Sequence, residues 1–297
     1  MTSRTLLTVL LLLVPAAGLA APIKVVTSFS VLGDIVRRIA GDHADVVTLV
    51  GPNGDAHSFD PSPADAAKLA DAALVVINGL GLDGWIERLA KSADYKGSIV
   101  VASQNIPARR MTEDEGGTKK EVTDPHAWQN LQNGAIYVRN IEAALEKADP
   151  ANAAAYKQAA ETYTSELLAL DAEVRRDITA VPKAKRRVIT SHDAFGYFGA
   201  AYGIEFLAPE GISTETEPSA GDVAKLIDQI RAKHIKVLFI ENMTDARLVT
   251  IIGNETGAVV GGTLFSDALS PPDGPAPAYI AMFKNNMPKL IEGMVRN

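Results

Sequence analysis

Nine residues near the start of the chain, Val25-Val26-Thr27-Ser28-Phe29-Ser30-Val31-Leu32-Gly33, have a counterpart 163 positions later. That second stretch reads Val188-Ile189-Thr190-Ser191-His192-Asp193-Ala194-Phe195-Gly196. The Thr, Ser and Gly are identical, and both copies pass from a β-branched run into a helix start. A chain carrying the same strand-to-helix switch twice is expected to fold as two related lobes. The segments around each copy agree. Apolar β-branched runs at 23–27, 46–50, 74–77 and 99–102 read as buried strands, and Leu32, Ile35, Val36 and Ile39 recur at helical spacing between the first two. Ser62-Pro63-Ala64-Asp65 is a helix start, with Ser as cap and Asp three residues on. In the second half strands are expected at 187–190, 204–207, 237–240 and 258–260. Helices are expected at 219–234 and 279–295, the latter with Pro288 as a kink. Alternation of this kind predicts an α/β fold: two related lobes with mainly parallel sheets covered on both faces.

Between the halves, residues 150–178 contain no glycine. Ala155, Ala159, Tyr163, Leu167, Leu170 and Val174 form a stripe at steps of three and four. The reading is one long helix, about 40 Å at 1.5 Å per residue, acting as a rigid connector rather than a flexible linker. The divisions expected are a leader over 1–20, an N-terminal lobe over 21–149, a linker helix over 150–180 and a C-terminal lobe over 181–297. In the leader, Arg4 precedes an apolar run over 6–14, then Pro15 and the small residues of 16–20. This is the pattern of a cleaved secretory signal, with the cut after Ala20. The run falls short of the roughly 20 apolar residues that span a bilayer. No cysteine stands at the junction, so the expectation is a protein free in the periplasm, not lipid-anchored and monomeric.

The absence of cysteine decides more than the anchor. Thiolate metal sites, disulfides and cysteine nucleophiles are excluded together, so any metal must be held by nitrogen and oxygen. The formal charge of −7 argues against nucleic acid as partner, which calls for a basic face. Ligands of open α/β sheets gather beyond the carboxyl ends of the strands, and three of the five histidines lie there. His57 follows the second strand. His126 lies between the fourth strand and the next helix, and His192 ends the first strand of the second lobe. His43 and His234 sit at helix ends and read as solvated, His234 with a favourable helix dipole. Three strand-end imidazoles spread over both halves can converge in an interlobe cleft, where neutral imidazole suits Zn²⁺, Cu²⁺ or Ni²⁺. For a fourth ligand, spacing leaves Asp267 and Glu241 equal. Whichever does not bind would accept a histidine N–H from behind.

The stretch Gly-Pro-Asn-Gly-Asp-Ala-His-Ser-Phe-Asp-Pro-Ser-Pro at 51–63 resembles the first metal-ligand loop of the substrate-binding proteins of zinc and manganese ABC transporters. Asp124-Pro125-His126-Ala127-Trp128 resembles their second ligand motif. Thr190-Ser191-His192-Asp193-Ala194-Phe195-Gly196-Tyr197-Phe198 resembles the third, in its zinc-binding form. Phe265-Ser266-Asp267-Ala268-Leu269 is similar to the segment that supplies the last carboxylate. The resemblance covers the whole mature chain and implies that His57, His126, His192 and Asp267 are the ligands, with Glu241 a supporting carboxylate. Manganese members carry glutamate at the place of His192, so the resemblance implies the zinc branch. It implies one Zn²⁺ per chain as transported ligand, a membrane ABC permease as partner and no enzymatic activity. One departure stands out. The histidine-rich loop of many zinc members is replaced by residues 104–123, short, polar and free of histidine, which read as a solvated loop. That form is similar to AztC-type proteins, some of which are loaded by a periplasmic zinc metallochaperone. The residues alone leave two other classes open: an exported zinc hydrolase using the same histidines, and a metal-dependent surface adhesin. Neither a His-Glu-x-x-His helix nor a Gly-x-Ser-x-Gly elbow is present.

Overall fold

The computed structural model describes residues 21–115, 118–215 and 218–297. The leader expected over 1–20 lies outside the described residues. The first lobe is built on strands β1 (Ile23–Phe29), β2 (Ala44–Val50), β3 (Leu74–Ile77) and β4 (Ser98–Val101). All pair in parallel, in the order β2-β1-β3-β4. Val25 pairs with Val46 on one side and Leu74 on the other, so the β-branched run at 23–27 becomes a central strand, closed to water from Val25 onward. Helices α1 (Ser30–Ala40), α2 (Pro63–Ala70), α3 (Trp85–Ser92) and α4 (Leu131–Ala148) complete the lobe. The cap read from Ser62 forms as a reciprocal box: Ser62 Oγ accepts from the Asp65 N–H, and Asp65 Oδ2 accepts from the Ser62 N–H at 3.0 Å.

Residues 104–123 include exposed positions such as Arg110 and Glu121, as expected of a solvated segment, but they are not all loop. From Arg110 they form an antiparallel hairpin, β5 (Arg110–Glu115) and β6 (Thr118–Thr123), with Arg110 opposite Thr123. Arg110 also reaches Glu121 across the pair at 3.3 Å. A polar two-stranded ribbon has no apolar face to write a period-two signal, and its pairing therefore escapes a reading of hydrophobic pattern.

The second sheet holds β7 (Arg187–Ile189), β8 (Glu205–Leu207), β9 (Val237–Glu241) and β10 (Val259–Leu264), all parallel in the order β10-β9-β7-β8. It carries α6 (Gly196–Tyr202), α7 (Ala220–Lys233), α8 (Ala246–Thr256) and the terminal helix. Counted from its own first strand, this order is that of the first lobe, so the two sheets share one topology. The nine-residue copies occupy the same place in each: the first strand and the turn after it. In both sheets the order reverses beside that strand, which puts a ligand crevice at its carboxyl end.

The connector α5 (Ala153–Thr179) is one unbroken helix of 27 residues. Its inner stripe is Tyr156, Ala160, Tyr163, Leu167, Leu170, Val174 and Ile178. The first two members lie one position beyond the Ala155 and Ala159 expected, because a run of alanines carries no phase of its own. Tyr156 sets it, its hydroxyl donating to Asp149 Oδ2 at 2.6 Å. Asp171 on α5 joins the lobes. Its carboxylate accepts from Gln132 of α4 at 3.1 Å, from Tyr202 of α6 at 2.8 Å, and from Arg175. The last helix, α9 (Tyr279–Arg296), runs through Pro288 and packs on the second sheet and against α1 and α5. One hydrophobic cluster extends without interruption from Val25 of β1 through Leu167 of α5 to Phe239 of β9 and Met294 of α9.

Candidate metal centre

Each histidine predicted at a strand end is delivered by a loop of the expected kind. His57 lies in the loop between β2 and α2, and His126 lies between β6 and α4. His192 lies in the turn after β7, and Asp267 lies after β10. Their side chains meet between the lobes: one ligand atom from each of His57, His126, His192 and Asp267 falls within 4.8 Å of all the others. His57 Nε2 is 3.2 Å from His126 Nε2. Asp267 Oδ2 is 3.2 Å from His57 Nε2, 3.1 Å from His192 Nε2 and 3.5 Å from His126 Nε2. A tetrahedron with metal–ligand bonds of about 2.0–2.1 Å has edges of roughly 3.3 Å, which these separations approach. Three of the four are fully buried and His57 is 8% exposed. The second oxygen of Asp267 is buried with no hydrogen-bond partner, a costly state for a carboxylate unless a cation faces it.

Glu241 does not join this group. It ends β9 and stands behind His192: Oε1 accepts the His192 backbone N–H at 2.9 Å, and Oε2 is 2.8 Å from Nδ1, a close contact without hydrogen-bond alignment. Asp124 does the same for His126, its Oδ1 lying 3.0 Å from the backbone N and 2.9 Å from Nδ1. A carboxylate at Nδ1 fixes the tautomer that turns the Nε2 lone pair toward the ion. The sequence expectation assigns Asp124 no role; its signal is a position two residues before a histidine, where an Asp side chain readily folds back onto the backbone. Arg109 Nε is 3.3 Å from the other oxygen of Asp124. Gly196 makes room for this pair, since a Cβ there would meet Asp124 Oδ2 at 2.5 Å.

Without an ion, the cluster pairs its own charges. Burial works to lower the His126 pKa, but the Asp267 charge and the bonds to Asp124 and Asp267 outweigh it, and the imidazole is raised to about 9. His192 is likewise raised well above the ordinary range, burial being overcome by Glu241 and Asp267. For Asp267 burial acts upward, yet the charges of His126 and His192 hold its carboxyl well below the usual value.

The segment bearing Asp267 is held from several sides. Ser266 O accepts from Trp128 Nε1 and Gln129 Nε2, both at 2.9 Å. The Leu269 N–H donates to Ser30 Oγ at 2.9 Å, and Asn286 of α9 clamps both polar atoms of the Phe265 backbone. Asp267 is therefore held by the first lobe although it belongs to the second. The remaining histidines lie elsewhere: His43 packs edge-on against Tyr156, and His234 caps α7 in the left-handed region.

Two lobes of one topology, a rigid connecting helix and a buried cluster of three imidazoles and a carboxylate define a bilobed binding protein for a divalent metal ion. The family profile described as zinc-uptake complex component A, periplasmic, matches residues 25–293, and the chain belongs to that family. It is 30% identical over 272 residues to the manganese-binding lipoprotein MntA of Halalkalibacterium halodurans, covering 92% of this chain and 88% of the relative. It is 30% identical over 287 residues to the metal ABC transporter substrate-binding lipoprotein SsaB of Streptococcus sanguinis, covering 95% and 92%. The structure superposes on the periplasmic zinc binding protein TroA of Treponema pallidum with a TM-score of 0.85 at 30% identity, covering 93% of this chain and all of that one. The chain is thus a metal-binding component of an ABC transporter, which works with a membrane permease, and it is not an enzyme. The hydrolase alternative falls with that.

One expectation is overturned. A protein free of any lipid anchor was inferred from the missing cysteine, but MntA and SsaB are both named lipoproteins. A residue count at one junction reads a single attachment chemistry and does not speak for how such a protein is retained.

Proposed function

We propose that the chain captures one Zn²⁺ through His57, His126, His192 and Asp267 and passes it to the permease for zinc uptake. The observation that carries this reading is the donor set: three imidazole nitrogens and one carboxylate oxygen, at separations near those of a tetrahedron. Zinc takes nitrogen donors in that geometry, whereas manganese favours oxygen. His192 decides the balance, since glutamate there would exchange a nitrogen donor for a second carboxylate. On this reading residues 1–20 are a leader, 21–149 and 181–297 are the lobes, and 150–180 join them. The chain acts as a monomer, and a zinc metallochaperone loads it, as the histidine-free hairpin suggests. The names of relatives support other ions too, manganese for MntA and zinc for TroA, so the test must compare them. Equilibrium dialysis of the untagged protein under trace-metal control should find one tight zinc and weaker manganese. His192→Glu should narrow that preference. Manganese bound more tightly than zinc by the wild type would sink the zinc assignment.

A further inference from the structure

Three of the four residues that meet at the centre are fixed from behind. His126 and His192 have carboxylate braces, and the segment bearing Asp267 is clamped by Trp128, Gln129, Ser30 and Asn286. His57 has no carboxylate brace, and its segment is held by Trp85, whose Nε1 donates to Ala56 O at 3.1 Å, and by Asp55. Among the described residues no carboxylate touches its Nδ1, and it alone of the four has an edge open to solvent, at the floor of a cleft that Phe59, Trp85 and Ile212 also line. Its position depends on its loop, and Asp55 ties the turn that carries it to the far side of the cleft. Asp55 Oδ1 accepts the His57 backbone N–H at 2.9 Å, while Oδ2 accepts from Ser58 Oγ at 2.8 Å and from Thr214 Oγ1 at 2.6 Å. Thr214 belongs to the second lobe, between β8 and α7. One carboxylate therefore joins the backbone of a first-lobe histidine to the opposite side of the cleft. Two further bonds tether the tip of the same loop: Asn53 N–H to Leu269 O at 3.0 Å, and Asn242 Nδ2 to Asn53 Oδ1 at 2.9 Å.

We propose that Asp55 and Thr214 form a latch across the cleft that positions His57 and sets the rate at which the ion leaves. The inference rests on the four-residue zinc site proposed above. Without the Thr214 hydroxyl, Asp55 still caps its own loop through Ser58 and the His57 N–H, but the loop loses its direct bond to the 208–219 segment. His57 then swings out more often, and an ion reduced to three ligands departs sooner. Capture is less affected, because an arriving ion meets three donors already in place. Asp55 and Thr214 are positioning residues, acting through His57 without touching the ion.

The test is stopped-flow release of Zn²⁺ from the loaded full chain into excess chromophoric chelator. Thr214→Val keeps the side-chain shape and removes the hydroxyl. It should release zinc about tenfold faster, the size expected of one hydrogen bond to a charged oxygen. Thr214→Ser should restore release to within about twofold of wild type, which general loosening of the segment would not explain. In an Asp55→Ala background, Thr214→Val should add nothing, since the partner is already gone. Wild-type release from Thr214→Val, or its full effect retained in the Asp55→Ala background, would overturn the latch. A His57→Ala protein that held zinc like wild type would instead remove the ligand assignment, and the latch with it.

Discussion

At the scale of single residues, the centre is a set of bases already occupied by protons. His126, raised to about 9, carries its second proton at pH 7 in the metal-free protein, and His192 is shifted in the same direction by Glu241 and Asp267. An imidazole must lose its proton before it ligates. Binding at neutral pH therefore releases protons, and each protonated imidazole weakens affinity by about one decade per pH unit of acidification. Asp267, held well below the usual carboxyl range, adds nothing to this dependence near neutrality. Zinc affinity should fall continuously from pH 9 to pH 6, where a solvated histidine would give a plateau above about 6.5. Competition titrations over that range, with proton release measured in buffers of different ionisation enthalpy, check it. A flat profile above pH 7 would mean that His126 and His192 do not hold extra protons in the empty site.

At the scale of elements, the two Gly residues of the internal copies have a shared explanation. Gly33 in α1 faces Thr48 of β2, where a Cβ would come within 2.2 Å of Oγ1, and Gly196 at the start of α6 faces Asp124. In both lobes the helix after the first strand lies too close to a neighbouring element for a side chain. Gly196→Ala should displace Asp124 and lower zinc affinity within the 10–100-fold range of lost outer partners, with the fold retained. Calorimetric titration beside a thermal melt separates the two effects, and unchanged affinity would show that Asp124 is dispensable. These elements also mark how far the sequence was legible. β-branched runs located the strands because central parallel strands are buried on both faces. Their carboxyl ends ran on past the apolar stretch, as Ser28-Phe29 shows, since a fully buried serine extends the strand without adding to its apolar pattern. The phase of α5 slipped among its alanines, and the hairpin had no apolar face to reveal it. The choice of Asp267 over Glu241 for the meeting point is a matter of which side of His192 each carboxylate reaches, and no spacing encodes that. Asp55 and Thr214 are 159 positions apart, a contact that only the folded chain makes.

At the scale of the whole molecule, α5 and the continuous core resist any large closing movement. Opening the lobes would separate Asp171 from Gln132 or Tyr202 and pull Arg38 of α1 from Glu166 of α5, a 2.6 Å pair. It would also expose a cluster that includes Tyr163, Leu167, Tyr279 and Phe283. Apolar surface returned to water costs about 25 cal/mol per Å², so small loop movements around residues 51–60 are the easier response. Solution scattering of metal-free and zinc-loaded protein should give nearly equal radii, and a marked compaction on loading would reject the rigid frame. The continuous core has a consequence beyond the protein itself. If the empty and loaded forms share one outline, the transporter receives little news of whether its visitor carries cargo. Spent carriers then queue with full ones for the same berth, and uptake is governed by the proportion of carriers that are full as much as by their number.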